Sequence, residues 1–385
     1  MRERGFMGTT LDAINPTDTF VLPDYTSPGL ATLMPTVVDV VRGRNDAASA
    51  FFGASLDGVD RVVVLALDGL GFFQLEPRLG ELRNLRRGVV QRGYSVGPTT
   101  TATALTSLTT GATPAEHGVL GYRVRLGTHA ILNTLRWSSS AYDVAPPLPM
   151  DFQPVPPFCG ETPVVVTKYL FAKTGFTQVH LRGGRLRYWH TMSSLVSKVL
   201  GSIADGERLI FAYYDGIDTV AHEFGLGEPY ERELRMVDVL VGMLLDELPA
   251  GTALIITADH GQVEVPSSPL RIDENVMALV KSLSGEGRFR WLHCHPGATE
   301  RVAEMASAYY GDVAKVMVRS EVLEQGIFGG TPTRGVQARV GDVALIPTEP
   351  VSFFDPDDTG ALQLVCRHGG LTAAEMIIPI LTFVR

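Results

Sequence analysis

Thr101 stands where a Gly97-Pro98 turn releases a hydroxyl-rich run, from Thr99 to Thr110-Gly111, into a helix-like pattern. A helix N-terminus offers unpaired backbone N–H groups and a positive dipole end, so a hydroxyl placed there can meet an anion that the backbone already holds. That is a setting for phosphate chemistry. An ordinary Ser/Thr N-cap has the same look, and what favours chemistry is a set of acids and imidazoles elsewhere in the chain. Asp68 ends an apolar run, Asp218 and His222 are four apart, Asp259-His260 ends a second apolar run, and His368 precedes Gly369-Gly370. Together they supply six nitrogen and oxygen ligands. Two zinc ions sharing them, three protein ligands each, would keep open positions for a nucleophile and a substrate oxygen.

Taken in order, these segments resemble the alkaline phosphatase superfamily, in its nucleotide pyrophosphatase/phosphodiesterase (type I phosphodiesterase) branch. The resemblance rests on Asp68-Gly69, the Thr101 to Thr110-Gly111 segment with its Pro114-x-x-His117-Gly118 tail, Asp218-x-x-x-His222-x-x-Gly225, Asp259-His260-Gly261 and His368-Gly369, and it spans most of the chain from about residue 60. It implies that Asp218, His222 and His368 hold one metal and Asp68, Asp259 and His260 the other, with Thr101 as the nucleophile beside the second. Two divalent ions about 4 Å apart suit in-line phosphoryl displacement through a covalent phospho-threonine. Imidazole and carboxylate without thiolate favour zinc, with manganese or iron as alternatives. Asp215 is read as a supporting group, since its spacing to His222 departs from the motif.

Two positions differ from the family pattern. An aromatic residue often follows the nucleophile and stacks a nucleobase, and an Asn three residues after the nucleophile holds a phosphate oxygen; here these are Ala102 and Ala104. Stacking would then fall to Tyr122, Trp137 or Phe158, and the phosphate oxygen to Thr100, Thr103 or the Ala102 amide. The expected activity is hydrolysis of phosphate diesters or nucleotide pyrophosphates. A phosphomonoesterase or phosphonate hydrolase with the same metals is the alternative, and a metal-binding protein without turnover is a third reading. A sulfatase is disfavoured because neither Cys nor Ser occupies the nucleophile position.

The elements that must position these residues are legible as an α/β alternation. Arg61–Leu67 is a continuous apolar run suited to a central parallel strand, and it ends at Asp68, at the carboxyl edge where open α/β sheets bind ligands. Leu209–Asp215 and Ala253–Asp259 repeat the pattern, each feeding a motif. Tyr230–Leu248 reads as a core-facing amphipathic helix, Leu33–Val41 as a short helix entered after Pro35, Met192–Ile203 as a helix and Met376–Phe383 as a closing strand. A polar helix-like stretch is expected between Leu79 and Arg92. The fold class is therefore α/β: an alkaline-phosphatase-like sandwich with a central, mostly parallel sheet flanked by helices and a smaller inserted cap.

The expected organisation is an N-terminal arm over 1–30, a catalytic core over 31–265 with a Pro- and aromatic-rich specificity insert near 122–163, an inserted cap over 266–350, and a return to the core over 351–385. Within the cap, Arg288 and Arg290 read as a basic patch and His293-x-His295 as a loop pair. His117 reads as a structural residue of its turn.

The 385 residues are 45% hydrophobic and 19% charged, which fits a globular chain, and the formal net charge of −9 gives no general attraction for a nucleic-acid backbone. A phosphate site must then be local, with metal ions as its positive charge. Three scattered cysteines, Cys159, Cys294 and Cys366, make no disulfide framework. With no signal-like or membrane-spanning run, the expectation is a cytoplasmic protein that acts on a small phosphorylated substrate, a nucleotide among the candidates, with no nucleic-acid polymer or membrane as partner.

Overall fold

In the computed structural model, which describes residues 11–358, 360 and 363–385, a seven-stranded sheet carries the chain. Its order across the sheet is Val89–Tyr94, Ile377–Val384, Thr252–Thr257, Arg61–Leu67, Leu209–Tyr214, Val164–Lys168 and Arg185–Trp189. The pairings within Arg61–Leu67, Leu209–Tyr214, Thr252–Thr257, Val164–Lys168 and Arg185–Trp189 are parallel. Ile377–Val384 runs antiparallel to both of its neighbours. The three central strands are buried almost throughout, which is why they read as unbroken apolar runs.

Register decides what this sheet presents. Leu67 pairs with Tyr214 and Ala66 with Thr257, so the next residues, Asp68, Asp215 and the Asp259-His260 pair, emerge together at the carboxyl edge. Helix Leu30–Val41 packs on the Arg61–Leu67 strand and on helix Thr101–Thr110. It begins ahead of the expected point, with Pro35 inside it. Helix Met192–Ala204 lies on the Val164–Lys168 and Leu209–Tyr214 strands, and Glu228–Glu247 packs on that helix in turn.

The stretch expected as a polar helix is instead short 3-10 turns followed by the Val89–Tyr94 strand. This strand lies at the sheet's edge and is only partly covered, so its polar residues hide its period. Arg185–Trp189 at the other edge was missed for the same reason. The 122–163 region forms a small three-stranded sheet, Arg123–Leu126, Ala130–Asn133 and Ser138–Ser139, followed by short helical turns.

A second, antiparallel sheet is built from Val280–Glu286, Phe289–Cys294, Val343–Pro347 and Ala314–Val318. Helix Thr299–Tyr310 covers it, and Val302, Ala306, Leu292, Val343 and Leu345 form a hydrophobic cluster of their own. Arg288 and Arg290 are not a surface patch: both are buried in this region and ion-paired, to Glu375 and Asp355. His293 lies on a strand, not in a loop, and its Nε2 meets Ser284 Oγ at 2.8 Å, while burial pushes its pKa down to about 3. Neither His293 nor His295 joins a group of candidate metal ligands among the described residues.

Candidate active site

Gly69 is what lets the elements close around the strand ends. It takes φ +74°, and a Cβ there would stand 2.6 Å from Gln262 Nε2 and 3.0 Å from Asp218 Cβ, so only glycine fits between the strand and the helix that carries Asp218. Its N–H donates to Asp259 Oδ1 at 3.0 Å, as does the His260 N–H at 3.1 Å. Both bonds leave Asp259 Oδ2 turned inward.

Two groups of side chains face one another here. In the first, His260 Nε2 lies 3.3 Å from Asp68 Oδ1, 3.4 Å from Asp259 Oδ2 and 3.2 Å from Thr101 Oγ1. In the second, His222 Nε2 is 3.2 Å from Asp218 Oδ2 and His368 Nε2 is 4.0 Å from Asp218 Oδ1, where Gln262 also donates to Asp218. The His260 and His368 rings stack at 3.5 Å, which joins the groups. All seven residues singled out from the sequence, Thr101 included, thus meet in one place.

The imidazoles are held in a common way. His222 Nδ1 donates to the Cys366 carbonyl at 2.7 Å, His260 Nδ1 to the Gly261 carbonyl at 3.1 Å, and His368 Nδ1 to the Thr99 carbonyl at 2.9 Å. With the proton on Nδ1, each Nε2 lone pair faces the cluster, the tautomer a metal-binding histidine needs. Asp68 Oδ1 and Asp259 Oδ2 are buried with no hydrogen-bond partner. Inward lone pairs on three imidazoles and orphaned oxygens on two buried carboxylates fit divalent cations. With Asp218 they make three imidazoles and three carboxylates, a set without thiolate that suits zinc, manganese or iron.

Electrostatics points the same way. Burial pushes the Asp68 carboxyl well above its ordinary range, and Asp259 and Asp218 add to this while the Tyr213 hydroxyl, which donates to Asp68 Oδ2, opposes it. Asp259 and Asp218 are also raised by burial, against the pull of His260 and His222 respectively. Burial lowers His260, and it lowers His368 well below the ordinary imidazole value, with His260 and His222 adding to the second shift. The chain by itself gathers negative charge that it does not neutralise.

Thr101 is the first residue of helix Thr101–Thr110, and the first helical bond reaches from the Ala104 N–H to the Thr100 carbonyl at 2.9 Å. The amides ahead of it have no partner within the helix. Thr99 ties this segment to the C-terminal loop, its Oγ1 donating to the Gly370 carbonyl at 2.7 Å and accepting from the Gly369 N–H at 3.0 Å. The loop is also held by Glu375, which accepts from the Gly370 N–H at 2.8 Å and pairs with Arg288. Thr99 has no local signature, since its partners lie far along the chain, whereas Glu375 closes a capping box with Thr372 and only its pairing with Arg288 is distant.

Other expectations resolve differently. Phe158 is fully buried against Phe211 and Trp137 is tied through Nε1 to the Pro147 carbonyl, beside Phe152, so neither stands at the site. Tyr122 does line the space beside Thr101. Asp215 is held by Lys168 at 2.8 Å. The tightest ligand groups among the described residues are Asp68, Asp259 and His260, and Asp218, His260 and His368; His222, expected with the second metal, lies outside both, as does Asp215. His117 is buried with its pKa pushed down to about 3; the Val119 N–H donates to its Nδ1 at 3.1 Å, so its Nε2 proton faces Ser107 Oγ at 2.8 Å, a structural role. The three cysteines are free, with Cys294 and Cys366 buried. Glu286 was missed: it comes from the cap hairpin, lines the same space as Thr100 and His368, and burial pushes its pKa up to about 8.

An α/β sandwich with acids and imidazoles gathered at its parallel strand ends is the architecture of the alkaline phosphatase superfamily. The chain belongs to the type I phosphodiesterase / nucleotide pyrophosphatase family, whose model matches residues 62–168 and 174–370. Among solved structures it is similar to murine ectonucleotide pyrophosphatase/phosphodiesterase 5, with 18% identity, 83% of this chain and 87% of that one covered, and a TM-score of 0.63. An inactive variant of the murine protein in complex with AMP matches equally well. Phosphonoacetate hydrolase from Sinorhizobium meliloti 1021, in complex with phosphonoformate, matches with 18% identity, 84% and 89% coverage and a TM-score of 0.62. These likenesses show the fold. No curated protein matches the chain.

Proposed function

We propose that the protein is a metal-dependent hydrolase of phosphate diesters or nucleotide pyrophosphates that works through a phospho-Thr101 intermediate. The observation that carries this is the position of Thr101 Oγ1, 3.2 Å from His260 Nε2, at a helix N-terminus and beside two buried carboxylates with unpartnered oxygens. Asp218, His222 and His368 would hold one divalent ion, and Asp68, Asp259 and His260 the other. When bound, such ions supply the charge that lowers the pKa of a nucleophile and stabilises attacking and leaving oxygens.

The chain's own residues do the rest. The Ala102 and Thr103 amides at the helix start can donate to phosphoryl oxygens, with the dipole favouring the developing charge. Thr101 Oγ, its proton given up to solvent, forms the bond to phosphorus as the bond to the leaving oxygen breaks, and the leaving group departs with that electron pair and takes a proton from water. Water then attacks phosphorus, the Thr101 Oγ–P bond breaks, and the threonine hydroxyl is restored. The Nδ1 bonds to backbone carbonyls hold the imidazoles in place throughout.

An AMP complex of the inactive murine neighbour supports a small phosphoryl ester as the substrate class. A phosphonate hydrolase is the second reading, supported by the likeness to phosphonoacetate hydrolase. Turnover of nitrophenyl phosphodiesters, nitrophenyl monoesters and phosphonoacetate by protein of measured metal content tests the reading. Faster diester turnover is expected, and none with any of the three would overturn it.

A further inference from the structure

Two chambers of opposite character open on Thr101, and they share Asp218, Leu135 and Arg136. One, of about 350 Å³, is polar, with Thr100, Tyr122, Glu286, Asp358 and Arg367 around it. The other, of about 670 Å³, reaches from Asp68 and Tyr213 into a wall of Leu105, Phe171, Phe176 and Leu181. Several of its polar groups have partners of their own. Thr177 Oγ1 lies 2.9 Å from Thr174 Oγ1 and donates to the Phe171 carbonyl at 2.6 Å, and Thr219 donates to the Asp215 carbonyl at 2.8 Å. Asp215 is paired with Lys168. His180 stacks on Phe176 with centroids 4.0 Å apart and directs Nδ1 at the Phe176 carbonyl, 2.7 Å away. A nucleobase would arrive with several donors and acceptors and find these groups already paired. Burying them unmatched is costly. The residue after the nucleophile, Ala102, is fully buried and offers no stacking face.

Resting on the phosphodiesterase reading, we infer that the natural substrate is an asymmetric phosphoryl ester whose one substituent is an uncharged apolar group, alkyl or aryl, seated in the Leu105–Phe171–Phe176–Leu181 chamber. The other substituent, polar or anionic, lies on the side of Thr100, Tyr122 and Arg367. Apolar burial supplies the affinity and the polar side sets orientation, a division usual for small-ligand sites. Leu170 marks the chamber's mouth, where it lines the space while remaining mostly exposed.

A series of nitrophenyl phosphodiesters whose second ester group is methyl, hexyl, phenyl or thymidyl tests this with the metal-loaded protein. Burial gains about three- to fourfold per methylene, so over five methylenes kcat/KM for the hexyl ester should exceed that for the methyl ester by several hundredfold, roughly 200- to 1000-fold. The thymidyl ester should fall below the phenyl ester. Leu170→Glu should cut the hexyl-to-methyl ratio at least tenfold. A flat series, or a thymidyl preference, overturns the inference while leaving the phosphodiesterase reading intact. Calorimetric binding of hexylphosphonate and methylphosphonate to the Thr101→Ala protein decides the chamber without turnover. Hexylphosphonate binding much tighter, with the gap narrowed by Leu170→Glu, supports it even if no diester is cleaved; equal affinities overturn it.

Discussion

Two buried ionic clusters stand close together in this molecule, and they are built on opposite rules. The cluster binding the cap sheet to the core is closed: Arg288 meets Glu375 through Nε at 2.7 Å and through Nη2 at 2.9 Å, and Asp355 takes both Arg290, at 3.1 Å, and Arg123. The cluster at the strand ends is open, with three carboxylates, three imidazoles and the orphaned oxygens Asp68 Oδ1 and Asp259 Oδ2. Burial is costly in both. Guanidinium groups compensate it in the first, whereas in the second the ion-pair partners of the three carboxylates among the described residues are histidines. A closed buried cluster holds elements together, and an open one implies a charged guest.

The largest expected effect is catalytic. Thr101→Ala should keep bound metal and thermal stability while hydrolysis falls by several orders of magnitude, as when a covalent route is removed. Parallel elemental analysis, melting curves and kinetics check it. Near-parent turnover would put the nucleophile elsewhere. Next in size is His368→Ala, expected to lose one of two divalent ions and most activity. If elemental analysis still shows both ions, the open cluster does not depend on the C-terminal histidine.

These two residues also show how much was legible. Thr101 and His368 lie in motifs with local signatures, and the continuous apolar strands leading to Asp68 and Asp259 announce buried parallel strands whose ends must meet. The closed cluster carries no such signal. Arg288 and Glu375 are 87 residues apart, and a lone arginine in a polar stretch reads as surface. The edge strands Val89–Tyr94 and Arg185–Trp189 were obscured by the polar residues that partial exposure permits. The apolar chamber escaped because Leu105, Phe171 and Phe176 sit on three different elements, and only the fold brings them to one wall.

The closed cluster makes its own prediction. Glu375→Gln strands Arg288 in a buried site, which should cost about 3–5 kcal/mol of stability. It should also loosen the Gly369-Gly370 loop and lower occupancy at His368. The double variant Arg288→Met/Glu375→Leu should recover stability, because an apolar pair of similar volume removes both charges. A single variant that melts like the parent would show that the pair does not hold the cap.

Glu286 falls between the two kinds of cluster, being buried, with Oε1 unpartnered, and held at a pKa of about 8 chiefly by desolvation. In the unfolded chain the same carboxyl titrates near 4.5. Between those values the native state binds the proton and the unfolded state does not. The stability this confers is therefore present at low pH and is lost as pH rises toward 8, by up to about 5 kcal/mol for the whole shift. In chelated protein, Glu286→Gln should flatten that decline, gaining stability over the parent at pH 9 relative to pH 5. Parallel pH–stability curves for the two proteins would contradict this.

The smallest expected effect lies two residues from the largest. Thr103 shares a helix and a side chain with Thr101, but it is fully buried and its hydroxyl has no partner. Replacing it with valine keeps the shape and removes an oxygen whose desolvation nothing offsets. Where a buried hydroxyl makes no hydrogen bond, such a change should be neutral or stabilising, by less than about 1 kcal/mol. Valine has the same β-branching, so the helix loses little. Thr103→Val should therefore melt at or slightly above the parent temperature and keep turnover within about threefold. Thr101→Val, made alongside, removes the hydroxyl that faces His260 and should be inactive. If Thr103→Val is inactive and Thr101→Val is not, the register of the nucleophile is wrong, and the open cluster serves a hydroxyl other than the one it now faces.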